Sequence, residues 1–141
     1  MARIKFGGRE LLRAARRFEQ DLLDEVSDIV YETARLIQTH AKALAPVDDS
    51  GLKDSIEVRM EGKYLAIVTV GVHYAIYVEY GTGIYAEGPG GSRAKKIPWS
   101  YYSEKLGRWV TTKGMKAQPF WGPAVEVGQD YFKSEMRRLG L

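Results

Sequence analysis

An α+β domain is what this sequence predicts, on three observations. Helical periodicity runs from about Arg9 to Leu44, period-two alternation follows over residues 56–70, and a second amphipathic helical run begins at Pro119. The expected layout is a long N-terminal helix and a C-terminal helix packed on an antiparallel sheet, with an extra β-hairpin near residues 96–112. A chain of 141 residues fits a single domain, 1–141. That size suffices to bury roughly 68–70% of the unfolded surface, so no metal or disulfide is needed to fold it.

Leu11, Ala15, Phe18, Leu22, Val26, Ile29, Leu36 with Ile37, Ala41 and Leu44 recur at three- and four-residue steps along the first helix. Charged and amide side chains such as Arg13, Arg17, Gln20, Asp24, Asp28 and Glu32 occupy its other face. Gly7-Gly8 precede the run and Pro46 stops it. At 1.5 Å per residue such a helix is about 54 Å long, more than a small domain is wide. Part of it is therefore expected to overhang the body, or to bend or break near Asp21–Asp24. An overhanging amphipathic end would need a partner.

Pro46-Val47-Asp48-Asp49-Ser50-Gly51 reads as a turn, and Leu52–Ser55 as a single helical turn. Ile56, Val58 and Met60 alternate with Glu57, Arg59 and Glu61, and Gly62-Lys63 then predicts a tight hairpin turn into Tyr64–Val70. This hairpin is expected to lay one face on the long helix. Tyr74–Tyr80 fits either a helical turn or a strand, with the helical turn, ending at Gly81, preferred. Residues 83–95 are expected to be a flexible loop around Gly88-Pro89-Gly90-Gly91. Residues 96–113 read as a second, basic hairpin, with strands on either side of Ser103–Gly107. Pro119 suits a first helical turn, and Phe120, Ala124, Val127, Tyr131 and Leu139 outline a helix of roughly 16–20 residues. Glu126 and Asp130 lie early in it and Arg137-Arg138 late, which suits the helix dipole.

Composition narrows the chemistry. There is no cysteine, which removes disulfides, thiolate metal sites and thiol nucleophiles, and fits a reducing compartment. No signal-peptide core and no run near the roughly 20 apolar residues of a membrane span is present, so a soluble product without membrane association is expected. The net charge of +3 is small, but residues 93–116 hold seven Lys/Arg against one Glu. Within that segment Arg93, Lys95, Lys96, Lys105 and Arg108 alternate with Trp99, Tyr101, Tyr102 and Trp109. Basic side chains attract phosphate and exposed aromatics stack bases, so one reading is a nucleic-acid-binding module. The other is a hairpin whose lysines solvate its edge against unwanted strand pairing.

Acid–base or metal chemistry has little to work with. His40 borders an apolar helical stripe and His73 ends a strand, both ordinary places for a packed or solvated histidine. Asp48-Asp49 could join Glu79 around a cation, against the plainer role of a capping turn. Glu79 sits among apolar and aromatic neighbours, so it is expected to need a backbone N–H or an arginine. The glycine loop lacks the Gly-Lys-Ser/Thr entry to a helix that a phosphate loop requires. No catalytic, cofactor or metal residue is assigned, and neither a cofactor nor a small-molecule substrate is expected.

Three stretches, taken in order, carry a resemblance: Ala41–Ile56 with its Ala45-Pro46-Val47 and Ser50-Gly51-Leu52-Lys53-Asp54-Ser55, then Tyr74-Ala75 through Glu79-Tyr80-Gly81-Thr82, then Ala117-Gln118-Pro119-Phe120 with Pro123-Ala124. Over roughly residues 30–137 the chain resembles the head–tail joining or tail-completion neck proteins of tailed phages and prophages. Ser50-Gly51 stands where that pattern more usually has Thr-Gly. The resemblance implies an α+β fold with both helices on one antiparallel sheet, no enzymatic activity, and a virion location at the head–tail junction after synthesis in the bacterial host cytoplasm. It also implies self-assembly into a ring, with a hexamer as one candidate, between connector or portal-side proteins and tail-tube proteins. A ring needs two different patches on each subunit. Tyr74, Tyr77, Glu79, Tyr80, Thr82, Pro119, Phe120 and Trp121 are the candidates for them, and the basic hairpin could face passing DNA.

Overall fold

The computed structural model describes residues 2–47, 50–87 and 97–141. The fold is α+β. Helix α1 spans Arg9–Leu44, followed by α2 at Ser50–Asp54, the antiparallel pair β1 Ile56–Met60 and β2 Ala66–Val70, and α3 at Ala75–Tyr80. A 3-10 turn at Gly83–Tyr85 comes next, then the antiparallel pair β3 Trp99–Ser103 and β4 Arg108–Thr112, and finally α4 at Trp121–Arg138.

Helix α1 is one unbroken element of 36 residues, so of the two expectations the overhang holds and the break does not. Residues 2–21 are all exposed, and burial begins at Leu22. From there on the apolar stripe is at least half-buried as far as Ala41, whereas Leu44 stays exposed, and Ala34, outside the stripe, is buried with it. Ile29, Ala34 and Ala41 are buried, α4 runs antiparallel along α1, and the β1–β2 hairpin covers a neighbouring flank. The principal neighbour of α4 is α1 itself, not the strands. Two polar tethers fix the hairpin on α1. The Gln38 amide donates to the Ile56 carbonyl at 2.9 Å, and the Ser27 hydroxyl to the Lys63 carbonyl at 2.7 Å.

The core lies at the C-terminal end of α1. Ala41, Ala45, Leu52, Ile56, Val78, Phe120 and Ala124 bury each other, with Ile37, Val68, Val70, Tyr74 and Trp121 around them. The first hairpin differs from expectation in its turn. β2 starts at Ala66, because Glu61 N–H bonds the Leu65 carbonyl at 2.8 Å and closes a longer loop than Gly62-Lys63 alone would make. Of the expected loop, Gly83–Tyr85 is a 3-10 turn bonded to the chain on both sides. Residues 88–96, with Arg93, Lys95 and Lys96, and the pair Asp48-Asp49 lie outside the described residues.

Candidate functional site

The aromatic stretch Tyr74–Thr82 and the Pro119-Phe120-Trp121 corner, some forty residues apart in sequence, fold against each other. Helix α3 ends at Gly81, whose φ of +78° stops it and turns the chain. On the inner side of that turn, Glu79 aims its carboxylate at the first turn of α4. Oε2 accepts from the Phe120 and Trp121 amides, both at 2.9 Å, and Oε1 from the Gly122 amide at 3.0 Å. These N–H groups have no partner within their own helix, and a carboxylate there also meets the positive end of the helix dipole. Glu79 thus caps α4 from another element. Its expected backbone N–H partners are three, and among the described residues no arginine joins them.

Backbone pairing extends the clamp. Gln118 N–H donates to the Val78 carbonyl, Thr82 N–H to the Met115 carbonyl and Ile84 N–H to the Lys113 carbonyl, while the Thr82 hydroxyl accepts from Met115 N–H. The chain entering α4 is therefore laced to the chain leaving α3. The lacing requires two glycines in contact. A side chain on Gly83 would strike the Lys113 backbone, and one on Gly114 the Thr82 backbone.

Each candidate residue now has a place. Phe120, only 1% exposed, fills the core between α3 and α4. As a patch for a neighbour it is corrected, because no side-chain surface remains to be shared. Glu79 is half-buried and spent on α4. Tyr74 and Trp121 pack partly against the core, and Tyr77 and Thr82 are half-buried. Tyr80 and Pro119 face outward, joined by Ile76, Ile84 and Tyr85, which the sequence reading did not single out. Beside them a cleft of about 390 Å³ is lined by Ile84, Tyr85, Ala86, Glu87, Lys116 and Ala117. The Lys116 ammonium sits 5.8 Å from the centre of the Tyr85 ring.

Among the described residues, the β3–β4 hairpin pairs extensively only between its own two strands. One face carries Tyr102 and Trp109 as an edge-to-face pair, centroids 5.9 Å apart, beside a Ser100–Thr111 hydroxyl contact of 2.8 Å. Trp109 is nonetheless 69% exposed, and Lys105 and Arg108 are exposed nearby. His73 stacks edge-on to Tyr74, and His40 is half-buried in α1. Among the described residues no three His, Asp or Glu side chains gather as a metal site would require.

The decisive comparison concerns the segment from α1 to α3. Residues 9–81, just over half of the chain, match the model of the HK97-gp10-like family, described as "Bacteriophage HK97-gp10, putative tail-component". The chain belongs to that family. Among the described residues no helix is long and apolar enough to cross a membrane. As a member of the HK97-gp10-like family, it is a structural component of the phage tail or neck region. No curated protein and no solved structure matches it. The match ends at Gly81, so the α3 side of the clamp lies inside the family segment and the α4 side beyond it.

Proposed function

We propose that this HK97-gp10-like chain is a head–tail connector or tail-completion subunit that forms a ring at the neck of a tailed phage or prophage. The observation that carries the reading is the family match over α1 to α3. The clamp supports it: Glu79 and Phe120 hold the elbow rigid from inside, and Tyr80, Pro119 and the partly exposed Trp121 are presented outside. Pre-ordered aromatic area at a fixed corner suits an interface, because little side-chain freedom is lost on docking. Tyr74, Tyr77 and Thr82 sit behind that surface as its support. The role is structural, and catalysis has no part in it.

Ring formation is tested by electron microscopy and light scattering of the purified chain at rising concentration, alone and with connector and tail-tube proteins of the same phage. Closed rings, or docking to either partner, support the reading. A strict monomer that docks with neither contradicts it.

A second reading has its own observation in the β3–β4 hairpin, with exposed Trp109, Lys105 and Arg108. In a ring this hairpin could line the path of DNA, and apart from a ring it could bind nucleic acid by itself. A gel shift that weakens with salt and is lost in Lys105→Glu/Arg108→Glu supports DNA contact. Binding unchanged by that pair dismisses it.

A further inference from the structure

The free end of α1 is the largest feature that neither the core nor the clamp uses. The body stops at two marks on this helix, the Glu25–Arg138 ion pair at 3.3 Å and the Ser27–Lys63 bond. Residues 9–21 project beyond them for about 20 Å. Their apolar stripe is uncovered, with Leu11 62% and Phe18 71% exposed. Scattered exposed apolar side chains are normal, but a helical stripe of them with its own amphipathic spacing marks a contact surface.

Charge along α1 says what the contact is. Residues 3–17 carry Arg3, Lys5, Arg9, Arg13, Arg16 and Arg17 against Glu10 alone. Residues 19–32 carry Glu19, Asp21, Asp24, Glu25, Asp28 and Glu32 and no Lys or Arg. Among the described residues, only Glu25 of these groups forms an ion pair. A partner of uniform charge would attract one half of this segment and repel the other. A second copy laid parallel and in register would set arginine on arginine. A second copy laid antiparallel sets the basic half of each helix along the acidic half of the other, and only Arg16 and Arg17, at the middle, lie level with their own counterparts.

We propose that the projecting half of α1 pairs antiparallel with the same segment of a second copy, giving a two-fold dimer of the free chain. Crossing near Ala15 and Phe18, Leu11 of each copy faces Leu22 of the other, and the two bodies extend from opposite ends of the pair. The interface is isologous, with the same stripe used on both sides. Apolar contact holds it, and the charge halves set its direction at low ionic strength, where a Debye length of roughly 30 Å at 0.01 M exceeds the separation of charges on the outer faces of two paired helices. The pairing is distinct from ring assembly, which needs unlike patches.

The test is sedimentation velocity of the full chain at low and high salt. The expected species at low salt is twice the 15.9 kDa chain mass, loosening as salt rises. Phe18→Glu abolishes it with the helix content unchanged. Two charge-reversed chains supply the register test: Arg9, Arg13 and Arg17 to Glu in one, and Asp21, Asp24 and Asp28 to Lys in the other. Each alone is monomeric, because the two halves of its α1 then no longer carry opposite net charge, and the two mixed form a heterodimer. A wild-type monomer at all concentrations overturns the proposal. So does a dimer indifferent to Phe18→Glu, or a mixture of the two reversed, folded chains that does not pair. Rings that still form with Phe18→Glu leave the ring reading standing on its own, whereas a dimer without rings leaves the pairing standing alone.

Discussion

The two ends of α1 live in different physical surroundings although their sequence pattern is the same. Both carry an apolar residue every three or four positions, yet Ala41 is fully buried and Phe18 is open to water. The difference comes from what other segments bring to them. The C-terminal end meets α4, the β1–β2 hairpin and the α3 elbow, whereas residues 9–21 stay exposed among the described residues. Amphipathic spacing thus states that a face will be covered. It does not state by which molecule.

Paired substitutions at the two ends turn this contrast into numbers. Phe120→Ala empties the largest fully buried side chain and is expected to cost about 3–5 kcal/mol of folding stability in urea titration. Phe18→Ala, by contrast, should stay within about 0.5 kcal/mol when the chain is monomeric, as surface changes do. Equal losses at the two sites would erase the contrast.

Glu79→Ala comes next, removing a carboxylate from three amides. About 2–3 kcal/mol is expected, the range for hydrogen bonds to a charged group lost at a partly buried site. Glu79→Gln should lose less, since it keeps one acceptor oxygen but no charge. If neither variant shifts the urea midpoint, Glu79 does not hold α4.

Gly128 gives a smaller effect. Its missing side chain lets α4 approach α1, and a β-carbon there would run into the Ile37 side chain. Gly128→Ala sets a gain in helix propensity of about 1 kcal/mol against overpacking of about 1–3 kcal/mol. A net loss is expected, and Ile37→Ala in the same chain should reverse its sign. The smallest effect concerns alkaline pH. Burial, followed by Glu135 and Glu32, raises the Tyr131 phenol above its usual 10.0. The folded state therefore favours the neutral phenol. That contribution is whole below pH 10 and is lost as pH climbs through the raised value. Tyr131→Phe should flatten this alkaline loss in thermal melts.

Much of this was legible in the chain because helical and strand periods are local signals. The bounds of α1 follow from Gly7-Gly8 and Pro46, and the α3 stop from Gly81. Glu79 was recognisable as a carboxylate that needed N–H partners, from its apolar neighbours alone. Its actual partners were not recognisable, since nothing periodic connects Glu79 to Phe120 across forty residues. For the same reason Phe120 read as a surface anchor: a Pro-Phe-Trp corner looks alike whether it faces a neighbouring molecule or the α3 elbow. Gly128 left one trace, a glycine inside a helical run, which is a known mark of close helix approach. The contact of Gly83 with Gly114 left none.

The central claim is that the α3 elbow fastens the start of α4 while the first part of α1 has no support from its own chain. Native-state amide exchange on the monomer tests it most directly. The account predicts slow exchange at Phe120, Trp121 and Gly122, fast exchange along residues 9–21, and selective loss of protection at the former three amides in Glu79→Gln. Even protection along the whole of α1 in the monomer, or rapid exchange at Phe120–Gly122 in the unaltered chain, would contradict it.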